Sequence, residues 1–228
     1  MELNFDLLVL NGSKQSISID IHQMVIAGWA GRDHVAIEHH IEELAAIGVP
    51  RPSSVPLFYR VASQTLSQAS MIEVVGQESS GEVEVFVFTH QGELLLSLTS
   101  DHTDRGLETV SVALSKQVCT KPVGSEAWRF QDVAAHWDQL RIESYITEDG
   151  KRVQYQSGLL SALLHPIDLI ARYVKSEILS AGVAMSCGTV GTQGAIRPAA
   201  HFEMRLIDPV LNRSLTHHYD VENLPKVS

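Results

Sequence analysis

Glu82 and Glu84 stand two residues apart in the run Glu82-Val83-Glu84-Val85-Phe86-Val87-Phe88, and Asp101 closes a second apolar run that starts at Glu93. The first run is rich in β-branched and aromatic residues, which favours a strand. Side chains alternate across a strand, so the two glutamates share a face. His90-Gln91-Gly92 makes a turn between the runs. A two-residue loop, Gln91-Gly92, sets position 82 opposite 101; a three-residue loop sets it opposite 100. Either register brings Asp101 beside Glu82 and within reach of Glu84. Three carboxylates on one patch repel, and burial strengthens the repulsion. Open solvent relieves it, and so does a divalent cation. The surrounding Val, Phe and Leu argue against open solvent. Carboxylate-only ligation suits a hard ion such as Mg²⁺ or Mn²⁺ rather than zinc. The alternative is an edge strand with a polar face, with Asp101 opening a turn beside Ser100 and Thr103.

The elements that must position these groups are mostly strands. Leu3 to Leu10 alternates, Asn11-Gly12 is a hairpin turn, and Ser16 to Asp20 alternates again. His22 to Ala30 reads as a third strand. Asp33 is a plausible N-cap for a helix with Val35, Ile37, Ile41, Leu44 and Ile47 as its apolar stripe, ended by Gly48 and followed by Pro50 and Pro52. A short strand is expected around Phe58-Tyr59-Arg60. Ser125 opens a predicted helix to about Leu140, with Phe130, Val133, Trp137 and Leu140 inward. Pro166 is a good first residue for a helix through Leu179, with Ile170, Tyr173, Val174 and Ile178 inward and Gly182 ending it. Strands at Val183 to Cys187, His201 to Ile207 and Ser214 to Val221 follow, the last two joined near Asp208-Pro209. The fold class is α+β, mainly β, with about three helices. No regular βαβ alternation supports a doubly wound sheet. The sequence holds no Gly-rich phosphate loop, nucleophile elbow or paired-cysteine zinc pattern.

The chain has 228 residues, 44% hydrophobic and 19% charged, which bounds it to one large or two small globular domains. Its net charge of −10 argues against nucleic acid and anionic membranes as partners. Two cysteines, Cys119 and Cys187, give no disulfide framework. The first residues lack the basic and apolar regions of a signal peptide, and no apolar run is long enough to span a bilayer, so a cytoplasmic location is expected.

The order of motifs resembles the fumarylacetoacetate hydrolase superfamily, specifically a bacterial branch of it, over roughly residues 25 to 225. Glu82-Val83-Glu84 corresponds to the family's Glu-x-Glu, and Ser100-Asp101-His102-Thr103-Asp104-Arg105 to its Asp-containing turn. Ser115-Lys116 stands at its Gly-Lys, and Gly182 to Thr189 at its late strand and turn. The resemblance implies a mixed β-roll, generally dimeric, with residues 1–24 a small N-terminal β subregion and 25–228 the catalytic domain. It implies that Glu82, Glu84 and Asp101 hold Mg²⁺ or Mn²⁺, which chelates a small anionic 2-oxo acid or β-dicarbonyl compound. Hydrolysis, decarboxylation or isomerisation beside a carbonyl then proceeds through an enolate that the Lewis acid stabilises. Lys116 is implied as a catalytic cation, with Arg105, Gly188 and Thr189 as contacts to the substrate. A His-Glu pair on the early helix serves as base. Here that is His40 with Glu43, three residues apart, with His39 a competitor. The sequence departs from the family at Ser100, Gly106 and Glu108, which replace Asn, Asp and Gln, and it lacks a proline after Thr189.

Overall fold

The computed structural model describes residues 1–10, 12–46 and 48–227, without the side chain of His40. The chain opens with the hairpin β1 (Glu2–Leu8) and β2 (Lys14–Asp20); β3 (Gln23–Gly28) then leads to helix α1 (His34–Ala46). β4 (Leu57–Val61), β5 (Leu66–Ser67), β6 (Met71–Val75) and β7 (Ser79–Ser80) precede a long hairpin of β8 (Val83–His90) and β9 (Glu93–Ser100). After β10 (Thr103–Asp104) come two short helices, α2 (Arg105–Glu108) and α3 (Val112–Gln117). They are followed by β11 (Lys121–Pro122) and β12 (Glu126–Arg129). Then come the hairpin β13 (Arg141–Glu148) and β14 (Lys151–Leu159), helix α4 (Pro166–Val174) and β15 (Val183–Ser186). The hairpin β16 (His201–Asp208) and β17 (Arg213–Leu224) ends the chain.

Two sheets form the body. The larger runs β2-β1-β12-β9-β8-β15-β3-β4, and the smaller β14-β13-β16-β17-β6. The large sheet is curled, and β8 lies in its middle. Its odd positions Val83, Val85 and Val87 join Ile142, Phe202, Met204 and Tyr219 of the smaller sheet in one core. Its even positions Phe86 and Phe88 join Leu3, Phe5 and Leu7 in a second core inside the curl. Phe5 stacks on Phe88 with ring centroids 4.5 Å apart. The period of two explains this directly: a strand buried on both faces is apolar at every step. Glu84 continues the Phe86–Phe88 face and so points into the curl.

The mainly β composition agrees with the sequence reading, and several elements differ in detail. Residues 125–140 do not form the expected helix. Glu126–Arg129 is strand β12, inserted between β1 and β9, and two 3₁₀ segments follow. Sheet pairing overrode the helical period, yet Phe130, Val133, Trp137 and Leu140 are all buried as expected. The helix from Pro166 stops at Val174, because Lys175 turns left-handed at φ 56°; Ile178 is therefore exposed. Gly182 lies well past that end. The N-terminus of α1 is capped as expected, Asp33 Oδ1 accepting from the N–H groups of Val35 and Ala36 at 2.9 and 3.1 Å. Val35 nonetheless points to solvent, and Ile41 is buried. Of the expected turn and stripe residues, Asn11 and Ile47 lie outside the described residues.

His217 of β17 is held against Gly124, with Nε2 buried and without a hydrogen-bond partner among the described residues. Burial, and then the neighbouring His218, push its imidazole down from 6.5 to about 4. The folded pKa is depressed, so the protein needs the neutral ring. The stability this contributes is present above pH 6.5 and is lost as pH falls toward 4. Replacing His217 with Phe is expected to remove that part of the acid slope; urea midpoints measured across this window check it.

Candidate metal centre

The hairpin register decides where the acidic groups meet. Val83 pairs with Ser100 and His90 with Glu93, so the loop is the two-residue Gln91-Gly92. Both turn residues have positive φ, 49° and 83°, as a type I′ turn requires, and Gly92 accommodates this without strain. Glu82 therefore lies opposite Asp101, whose N–H donates to the Glu82 carbonyl at 2.9 Å. One ligand oxygen from each of Glu82, Glu84 and Asp101 lies within 4.8 Å of the others. Glu84 and Asp101 are buried and Glu82 half-buried.

Each carboxylate is held by a different device. Glu84 Oε2 accepts from the Ser186 hydroxyl on the neighbouring β15 and from the Gly188 N–H at 3.0 Å. Glu82 Oε1 lies 3.2 Å from Arg105 Nη2. Arg105 also donates to Ser80 at 2.7 Å and to Glu108 at 3.0 Å, which fixes its fork. Asp101 Oδ2 accepts from Lys116, and Oδ1 lies 3.1 Å from Lys121 Nζ without a hydrogen bond between them.

The protonation balance follows from that arrangement. Burial, followed by the charge of Asp101, pushes Glu84 up to about 8 despite the Ser186 hydrogen bond. Burial would raise Asp101 as well, but Lys116 and Lys121 outweigh it and bring the carboxyl down to about 2. For Lys116, burial is outweighed by Asp101 and Glu82, and its pKa rises. For Lys121 burial wins and the pKa falls. His102 is forced down to about 3 by burial, Lys121 and Arg105, so it is a neutral ring, its Nδ1 2.5 Å from the Ser79 hydroxyl.

These residues suit a hard divalent ion. The donor set is all oxygen, it is mostly buried, and Asp101 Oδ1 has no hydrogen-bond donor among the described residues. A bound cation would satisfy that oxygen and lift the mutual repulsion of the three groups.

The other expected site residues fall into two sets. Lys116, on α3, and Arg105, on α2, are at the triad, and Gly188 and Thr189 adjoin it. The Gly188 N–H, however, is engaged by Glu84, and the Thr189 hydroxyl donates to the Val83 carbonyl at 2.7 Å and accepts from Gln156 at 2.8 Å. They buttress the strand that carries the glutamates. Gly188 has φ 87° and a Cβ there would lie 2.8 Å from the Ala30 methyl, so only glycine fits. On α1, Glu43 is exposed and lies 3.4 Å from His39 Nδ1. His40 is in the helix, and its side chain lies outside the described residues. The sequence reading missed Lys121, which is fully buried, and Trp29, which follows β3 at φ 59°. Lys121 follows no periodic pattern; its one signal was charge balance, since three clustered carboxylates call for more than one cation.

A cavity of about 720 Å³ opens on the triad. Glu82, Glu84, Asp101, Arg105 and Lys116 line it, with Trp29 and Tyr59, the α1 residues Ile37 and Leu44, and the loop through Ile196.

The curled, mainly β sheet is a fumarylacetoacetate hydrolase-like fold. The chain belongs to the family described as "Protein of unknown function (DUF2848)", which it matches over residues 27–219. Solved structures share the fold at low identity. A 2-keto-3-deoxy-D-arabinonate dehydratase complexed with magnesium and 2,5-dioxopentanoate superposes with TM-score 0.66 at 14% identity, covering 91% of this chain and 75% of that one. Cg1458 with inhibitor gives 0.65 at 15%, covering 98% and 90%. The 4-oxalocrotonate decarboxylase from Pseudomonas putida G7 complexed with magnesium and adipate gives 0.54 at 13%, covering 89% and 78%. No curated protein matches the sequence.

Lys121 neutralises a buried charge from a fully enclosed position. Lys121→Met is expected to cost roughly 3 kcal/mol, because one charge-pair partner is removed and the other stays buried. Chemical denaturation of the two proteins measures it.

Proposed function

We propose that this protein is a divalent-metal-dependent enzyme, a lyase or hydrolase, acting on a small 2-oxo acid or β-dicarbonyl compound. The observation that carries the reading is the convergence of Glu82, Glu84 and Asp101 on the wall of a cavity. Mg²⁺ or Mn²⁺ held by these three residues would act as a Lewis acid on the substrate's oxo oxygen. Arg105 and Lys116 supply positive charge beside it, to orient an anionic substrate and favour the electron-rich state of the reacting carbonyl. Gly188 and Thr189 serve by holding Glu84 and the β8 backbone in place. The dehydratase and decarboxylase among the structural neighbours favour lyase over hydrolase chemistry. The catalytic part is residues 25–228, with 1–24 a small N-terminal β subregion whose β1–β2 hairpin extends the large sheet, and the protein acts as a cytoplasmic homodimer.

The base is proposed on α1, at His40. The position of the His40–Glu43 pattern, three residues later after Gly31 than in the superfamily, supports a second reading. In that reading the protein binds metal and ligand without turnover, the helix having lost its base pair. Isomerase or hydratase chemistry at the same site is a variant of the first reading.

Mn²⁺ binding measured by calorimetry, together with turnover of acylpyruvates and oxaloacetate with and without EDTA, tests the proposal. EDTA is expected to abolish turnover, and Glu84→Gln to weaken Mn²⁺ binding by on the order of 100-fold, as loss of one charged ligand of three implies. Turnover that survives EDTA overturns the metal-dependent reading. Metal and oxalate binding with no turnover, unchanged in His40→Ala, favours the binding protein.

A further inference from the structure

The cavity beside the triad is larger than a three- or four-carbon oxo acid needs, and its walls differ sharply in character. One end holds the carboxylates, Arg105 and Lys116. Trp29, Ile37, Leu44, Val49, Leu163 and Ile196 also line the cavity, beside the polar Arg32, Asp33 and Thr192. Ile37 and Leu44 belong to the stripe of α1, which in an ordinary surface helix packs on the core. Here both remain half-buried and line open space.

Charge on the wall sharpens the point. Five acidic residues line the cavity: Asp33, Glu82, Glu84, Asp101 and Glu108. The cations there, Arg32, Arg105 and Lys116, are all engaged among the described residues. Arg32 holds Asp138 through two hydrogen bonds, at 2.8 and 2.5 Å, and donates to the Leu163 carbonyl at 2.5 Å. Arg105 serves Glu82 and Glu108, and Lys116 serves Asp101. Asp33 is committed to the N-cap of α1. A second carboxylate near Asp33, away from the triad, would meet a like charge, and among the described residues the cation beside it, Arg32, is already held by Asp138. Desolvating it against apolar side chains without a partner would weaken binding.

We infer that the substrate is a monocarboxylic oxo acid with an apolar alkyl or aryl tail, and that the wall of Trp29, Ile37, Leu44 and Ile196 selects that tail against dicarboxylates. This rests on the oxo-acid reading above and adds the chemistry of the distal group.

N-substituted oxamates separate the two claims, because the oxamate head mimics an oxo acid and the tail varies alone. Calorimetry on the Mg²⁺-loaded protein compares N-methyl, N-butyl and N-(3-carboxypropyl) oxamate. Each buried methylene is expected to tighten binding about threefold, so N-butyl should bind on the order of 30-fold tighter than N-methyl oxamate. The carboxypropyl compound should bind at least about tenfold more weakly than N-butyl, since its charge is desolvated without a partner. Ile196→Asp and Leu44→Asp, checked for folding by circular dichroism, should each shrink the butyl-to-methyl ratio below about fivefold, because a charge replaces apolar wall. Equal affinities for methyl and butyl, or tightest binding of the carboxypropyl compound, overturn the tail assignment and leave the oxo-acid reading standing. Failure of every oxamate to bind the metal-loaded protein overturns both.

Discussion

The rest of the structure answers one electrostatic problem: three carboxylates held within one ligand shell in a site mostly closed to water. In an apolar setting such a cluster is unstable as three free charges. The protein meets the difficulty with two buried lysines on Asp101, a guanidinium on Glu82, and a hydroxyl and a backbone N–H on Glu84. Glu84 receives the weakest compensation and is the group driven toward its neutral form. The elements that bring these partners, α2, α3, β11 and β15, are short. Their placement is intelligible as the scaffolding of that balance more than as a source of core.

Much of this was readable in advance because the hairpin is governed by local rules. A β-prone run, a Gln-Gly turn and a second apolar run narrow the register, and a register fixes which side chains are opposite. Counting left two registers, both of which bring Asp101 beside Glu82, and the two-residue Gln91-Gly92 loop is the one formed. Local rules also gave the β1 alternation, in which Leu3, Phe5 and Leu7 are all buried, and the Asp33 cap. Where local preference and tertiary pairing pulled apart, the sequence misled. Glu126 to Arg129 carries no strong strand signal of its own and becomes a strand because β1 and β9 leave a place between them.

The compensating groups were harder to read for the same reason. Lys116 was legible only through a resemblance in the order of motifs, and Lys121 had no such help. Contacts between residues far apart in the chain, such as Ser186 with Glu84 or Gln156 with Thr189, leave no periodic trace. The stripe on α1 was legible as apolar, but its partner was not. It faces the cavity with Ile37 and Leu44, which periodicity alone cannot distinguish from facing a core.

The left-handed backbone at Trp29 has an evolutionary corollary. A bulky residue in that conformation carries a penalty of roughly 1–2 kcal/mol that glycine avoids. Drift toward fold robustness alone would therefore empty this position of its side chain. Glycine at position 29 would relieve that strain only by removing a side chain that lines the cavity, its ring nitrogen 3.4 Å from the Tyr59 hydroxyl, so backbone ease and the shape of the cavity pull in opposite directions here.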